Sequence, residues 1–220
     1  MICLTKAQPP QVLRDNAEAW TEEYLQLRES GRGHEFRRHR HPDVKAAVIA
    51  ETAEKCAFCE SKMRHVAFGD VEHVLPKSER PDLVVEWTNL TLACSVCNNS
   101  KGDYYSEEAP IIHPYNEDPQ SHLVFVGPMV THARRSALGE RTHRRLNLNR
   151  IELLERRADR LSAIKELVDR LDALAPGPDR GLFENEIRKE GRAHAEYAAA
   201  VRDFLASHFD ADSSPPAPTS

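Results

Sequence analysis

Apolar positions in this chain mark helical stretches at both ends and an aperiodic middle. Leu13, Ala17, Trp20, Tyr24 and Leu27 recur three or four residues apart, the spacing of one helix face. They predict a helix from about Pro10 to Arg28, with Pro9 and Pro10 suiting its start and Gly31 and Gly33 ending it. Ala46, Ile49, Ala50 and Ala53 predict a second helix over His41–Lys55, with Pro42 in its first turn. From Cys56 to Tyr105 no long helical period exists. His122–Val126 reads as a strand closed by Gly127 and Pro128. Leu154, Ala158, Leu161, Ile164, Val168 and Leu171 then hold a 3.6-residue period, predicting a long helix over about Asn149–Leu174. Asn149 is its candidate cap, with Glu152 three residues on, and Pro176-Gly177-Pro178 its end. Its other face alternates charge through Glu155, Arg156, Arg157, Asp159 and Arg160. A last helix is expected from about Leu182 to His208, and the Pro/Ser/Ala-rich residues 210–220 are expected to be disordered.

The fold class expected is α+β, mostly helical. A helical region (1–55) precedes a compact metal-organised unit (56–105), followed by a connecting strand and helices (106–209) and the tail (210–220). Composition adds limits. With 220 residues, 40% of them hydrophobic, the chain can bury a modest core. Thirty basic against 35 acidic residues leave a net charge of −5, which argues against a protein that coats nucleic acid by bulk charge. No apolar run is long enough to span a membrane, and the N-terminus lacks a signal-peptide pattern. The expected location is the cytoplasm, where disulfides are disfavoured.

That setting gives the cysteines their meaning. Four of five fall in two pairs, Cys56-Ala-Phe-Cys59 and Cys94-Ser-Val-Cys97. Two such turns present four thiolates to one ion, a closed shell that favours a structural Zn²⁺. Buried apolar cysteines or a redox pair are the alternatives, and Cys3 lies outside the pattern.

Between and after the pairs run Asp70-Val-Glu-His-Val-Leu-Pro-Lys77, Trp87-Thr-Asn-Leu-Thr-Leu92 and Asn98-Asn-Ser-Lys-Gly-Asp103. In this order and spacing the segment resembles the HNH nuclease family, whose core is a ββα-metal motif, in a form with a zinc-stabilised core. The resemblance implies His73 as general base and Asn89 as the residue bracing the loop that carries it. It implies Glu72 and Asn98 as ligands of a catalytic divalent ion. Glu72 departs from the commoner Asp or His, and as a hard oxygen donor it suits Mg²⁺ or Mn²⁺. These residue types fit phosphodiester hydrolysis: an imidazole takes the proton of water and a cation offsets charge on the phosphate. Lys101 is expected to contact phosphate as a point charge.

Further phrases extend the likeness: Met1, Ile2, Leu4 and Lys6; Glu54–Ser61; Gly69–His73; Glu86–Cys94; Asn116–Pro119 with His122–Phe125; and Leu146–Arg150. They are similar to the HNH subunit of Septu-type anti-phage systems, the PtuB-like proteins. That resemblance implies an ABC/SMC-like (PtuA-like) ATPase partner and cleavage of invading DNA. Two arginine-rich segments, Arg32–His41 and Thr131–Arg150, are candidate phosphate contacts, Arg144 and Arg145 foremost. A stand-alone HNH nuclease, or a non-catalytic zinc-organised adaptor that binds nucleic acid or an ATPase, are the alternative readings.

Overall fold

A computed structural model describes residues 1–63 and 69–209; the expectation for 210–220 lies outside the described residues. The fold is a mostly helical α+β arrangement with two small antiparallel sheets. Helix α1 (Gln11–Glu29) follows Pro10, buries Leu13 and Tyr24 and ends at Ser30. Helix α2 (Pro42–Glu51) starts on Pro42, with the His41 ring accepting the Asp43 N–H. It stops four residues short of the expected Lys55. Ala53 and Glu54 take φ of 52° and 65°, reversing the chain into the first cysteine pair, a turn that helical dihedrals could not make.

Strands β1 (Asp70–His73) and β2 (Leu90–Ala93) pair antiparallel, His73 opposite Leu90 and Glu72 opposite Thr91. Every β2 residue is buried. The strand runs straight into helix α3 (Ser95–Lys101), whose N-cap is Cys94, its Sγ accepting the Cys97 N–H at 3.4 Å. Gly102 ends α3 at φ 52°, ψ −143°, a conformation only glycine adopts without strain. α2 packs across this small sheet.

The expected strand near residue 122 is β3 (Leu123–Val126), and it has a partner the sequence pattern did not reveal, β4 (Met129–His132). Gly127 and Pro128 form the two-residue turn between them, Gly127 at φ 57°. Helix α4 (Ala137–Arg145), also unanticipated, lies on this hairpin, with Ser136 Oγ accepting the Gly139 N–H at 3.0 Å.

Helix α5 (Ile151–Asp172) buries Leu153, Leu161, Ile164, Val168 and Leu171. Two details differ from the pattern-based reading. Asn149 does not cap α5; its amide clasps Val130 of β4, accepting from N–H at 2.9 Å and donating to C=O at 2.7 Å. Arg157, placed by pattern on the outer charged face, is 1% exposed. Its guanidinium donates to the carbonyls of Leu148 (2.8 Å) and Pro128 (3.2 Å) and lies 5.1 Å from the Phe125 ring centre. Through Nη1 this buried arginine ties α5 to the hairpin, while its Nε is buried without a hydrogen-bond partner among the described residues.

The expected last helix is two: α6 (Pro178–Lys189) and α7 (Ala198–Phe209). The break at 190–197 has a tertiary cause. Lys55 Nζ donates to the carbonyls of Ala193 and Ala195, and the Tyr197 N–H reaches the Glu60 carbonyl. These bonds draw the segment onto the cysteine-bearing turn. Buried side chains from Met1 to Leu205 form one continuous core.

Gly139 is where α4 approaches the hairpin most closely. A Cβ there would lie 2.0 Å from the His122 carbonyl oxygen, a backbone atom. Gly139→Ala is therefore expected to lower stability by about 1–3 kcal/mol or more in chemical denaturation. An unchanged unfolding midpoint would mean that this interface yields freely.

Candidate metal centre and active site

The turn after α2 brings Cys56 and Cys59 against Cys94 and Cys97 at the β2–α3 junction. All four Sγ atoms lie within 4.8 Å of one another, with Cys59 and Cys94 3.9 Å apart. A tetrahedron with Zn–S arms of about 2.3 Å has edges of about 3.8 Å, so the thiols present fit a zinc ion that fills all four positions. Hydrogen bonds from Cys56, then Cys94 and Cys97, and from Ser61 hold the Cys59 thiol well below its ordinary range. Burial pushes Cys56 up.

Four thiolates around one divalent ion leave two negative charges, and Arg150 faces them. Its Nη1 lies 3.6 Å from Cys97 Sγ, and its Nη2 lies 3.7 Å from Cys97 Sγ and 3.9 Å from Cys94 Sγ. Ser61 Oγ stands 3.3 Å from Cys59 Sγ and is in turn bonded to Tyr197 Oη at 3.0 Å. Arg150 was grouped by sequence with candidate phosphate contacts; the structure turns it inward. Its role and that of Tyr197 escaped sequence reading because each lies far along the chain from the cysteines.

His73 closes β1 and is 5% exposed. Its Nε2 lies 2.8 Å from the Val84 carbonyl oxygen. A carbonyl only accepts, so Nε2 carries the proton and Nδ1 the lone pair. Among the described residues Nδ1 makes no hydrogen bond. Burial chiefly, with Lys77, Lys101 and Arg40 nearby, lowers the His73 pKa to about 4, against the opposing pull of Val84. The imidazole is therefore neutral at neutral pH. Val84 carries no sequence signal, because any residue offers a carbonyl.

Asn89 sits behind this pair. Its Oδ1 accepts the Leu75 N–H at 2.8 Å, and its Nδ2 donates to the carbonyls of Leu75 (3.0 Å) and Leu83 (3.2 Å). One amide thus joins both ends of the loop between His73 and Val84. Tyr24 Oη and Arg28 of α1 hold the middle, through the carbonyls of Lys77 and Ser78.

Glu72 is half-buried, and among the described residues its carboxylate makes no hydrogen bond or ion pair. Burial raises its pKa, while Lys101, Arg40 and Lys77 pull the other way. Those three cations also act on His73, so both residues face one cationic cluster. Asn98, on α3, uses its backbone to bond Cys94 and Gly102 and leaves its amide side chain without a partner among the described residues. A carboxylate and an amide oxygen, both unengaged, are a donor set that fits a hard divalent cation.

The expected phosphate contacts are placed differently. Lys101 is 2% exposed, and its Nζ bonds the Gly102 carbonyl at 3.1 Å. Its strongest opposite charge is Glu72. Expected as a phosphate contact, it lies inside the unit as a counter-charge to Glu72. Arg145 caps α3 by donating to the Lys101 carbonyl at 3.0 and 3.3 Å, and it lies over Tyr104. Arg144 is exposed and pairs with Glu140 at 2.9 Å. His39 was missed altogether; its ring packs 4.8 Å from that of His73.

Residues 56–104, which hold the cysteine cluster and the ββα unit, match the family model described as HNH endonuclease. The chain thus carries an HNH endonuclease domain. Over 224 aligned residues it is 27% identical to the Septu protein PtuB of Bacillus thuringiensis, covering 96% of this chain and 84% of that one. It is also 27% identical over 154 residues to the Septu protein PtuB of Bacillus mycoides (strain KBAB4), covering 56% and 52% respectively.

Arg150 offers a test of the metal centre. Losing an outer donor to a metal's ligands typically costs about 10–100-fold in affinity. Arg150→Ala is expected to release zinc to a chromophoric chelator at correspondingly lower chelator concentration and to unfold at lower temperature. Parental zinc retention would show that the guanidinium does not balance the thiolates.

Proposed function

We propose that this protein is a metal-dependent HNH endonuclease that hydrolyses DNA phosphodiester bonds, and that it is the nuclease subunit of a Septu-type anti-phage complex. The observation that carries the nuclease reading is the His73–Val84 bond. It fixes the tautomer that leaves Nδ1 free, and burial among cations keeps the ring neutral, so Nδ1 is ready to take a proton from an attacking water. Asn89, by joining both ends of the loop, keeps ring and carbonyl in register, a positioning role.

Glu72 and Asn98 would hold Mg²⁺ or Mn²⁺, with positions left over for phosphate and water. Such an ion supplies Lewis-acid stabilisation of charge on the phosphate and the leaving oxygen. Lys101 balances Glu72 from inside and lowers the cost of its half-burial. The four cysteines hold a structural Zn²⁺ that shapes the unit. Arg144 and Arg145 stand beside α3 on the exposed side, where they would meet phosphates of the duplex. The relatives' names and the alignment over most of the chain support the defence reading. In that reading the protein acts in the cytoplasm with an ABC/SMC-like, PtuA-like ATPase that governs cutting. No helix among the described residues is long and apolar enough to cross a membrane.

His73→Ala is expected to reduce plasmid cleavage in Mg²⁺ or Mn²⁺ by about 10²–10⁴-fold while zinc content and thermal unfolding stay at parental values. Cutting at the parental rate would remove His73 as base and favour a non-catalytic adaptor. Co-expression with an ABC/SMC-like ATPase encoded beside this chain's gene is expected to yield one complex on size-exclusion chromatography. Separate elution, with the isolated chain as active as the mixture, would leave a stand-alone nuclease.

A further inference from the structure

The basic run in the N-terminal region ends beside the candidate base. A short 3-10 turn, Arg38–Arg40, packs on β1. His39 anchors it: the ring is 3% exposed, stacks on Phe36 at 5.9 Å and lies 4.8 Å from the His73 ring. The turn is therefore held against the catalytic strand and does not swing freely from the surface.

The arginines of this run are not equivalent. Arg32 pairs with Glu35 at 3.8 Å. Arg37 donates to the carbonyls of His34 and Phe36. Arg38 pairs with Glu23 at 3.0 Å and lies over Trp20. Arg40 is exposed, and its guanidinium makes no ion pair or hydrogen bond among the described residues.

Lys77 lies on the loop that follows His73. Its ammonium too makes no ion pair or hydrogen bond among the described residues, and lies 5.4 Å over the Tyr24 ring. Burial chiefly, with Arg37 and Arg40, lowers its pKa, against the pull of Glu72, a candidate metal ligand, and Asp103. The Tyr24 ring packs 5.2 Å from Phe36, on which His39 stacks, so Lys77 and the turn that carries Arg40 rest on one aromatic cluster. Two cationic side chains without a bonded partner among the described residues, held on anchored segments, suit a polyanion.

We propose that Arg40 and Lys77 form a subsite for a DNA backbone phosphate next to the one being cut, so that the N-terminal region, outside the HNH domain, completes the active site. This rests on the nuclease reading above. Arg40 offers a planar fork and Lys77 a point charge, and the charge of each bears on His73. The contact is with the backbone and carries no base preference.

The test is binding of a short duplex DNA by the full chain, followed by fluorescence anisotropy over about 50–200 mM KCl. A His73→Ala parent prevents cutting during the titration. Adding Arg40→Gln is expected to raise Kd about tenfold at the upper salt end and to flatten the salt dependence by about one unit of log Kd per log salt; Lys77→Gln should do the same. Arg38→Gln, already paired with Glu23, should change neither. Parental Kd and slope for Arg40→Gln and Lys77→Gln would overturn the proposal, as would a parent that binds no duplex at all. The nuclease reading is scored separately, by cleavage with the unsubstituted chain. Intact cutting with silent Arg40 and Lys77 variants sinks the subsite alone, and DNA binding that depends on Arg40 in a chain that never cuts sinks the nuclease alone.

Discussion

Four thiols, three of them fully buried, share one point, and bonds from distant parts of the chain converge on it. Thiolate charge in a low-dielectric interior is tolerable only when it is compensated. A divalent ion bound there would remove half of it, and Arg150, 3.6–3.9 Å from Cys94 and Cys97, faces the remainder. Because Arg150 immediately precedes α5, this compensation fastens the C-terminal helices to the cysteine unit. Ser61 and Tyr197 do the same from the other side. The cluster also sets the direction of α3, since Cys94 is both a candidate ligand and the cap of that helix.

Around His73 the same physics works in the opposite sense. Here burial and surrounding cations act together to keep a basic group uncharged. The carbonyl of Val84 selects which nitrogen keeps its lone pair, and Asn89 holds that carbonyl's loop. The site thus gathers positive charge on Arg40 and Lys77, whose side chains have no bonded partner among the described residues, beside a neutral base. That distribution is unfavourable in isolation and suits a polyanionic substrate. The net charge of −5 is a whole-chain sum and does not record this local distribution.

Helix α5 shows how pattern and packing diverge. The heptad-like run of leucine, isoleucine and valine was legible and is buried as expected from Leu161 onward. At its start the pattern misled. Arg157 is buried because two backbone carbonyls from the β3–β4 hairpin and its neighbouring segment need a donor, and Asn149 abandons capping for Val130. In the last helical region the carbonyls of Ala193 and Ala195 turn toward Lys55 instead of continuing a helix.

By itself the sequence determined the paired cysteines that could bind zinc, the order of the ββα residues and the main helices, because ligand spacing and helical periodicity are local properties of the chain. The tertiary structure alone decided which arginines are free. Arg150 and Arg157 are internal, Arg145 caps a helix, Arg144 pairs on the surface and the Arg40 side chain has no bonded partner among the described residues, although all are the same residue type in similar basic runs. It also decided the tautomer of His73, which depends on a backbone carbonyl eleven residues away. Compensation of charge and pairing of buried polar atoms are settled by whichever groups meet in space, and no local spacing records that meeting.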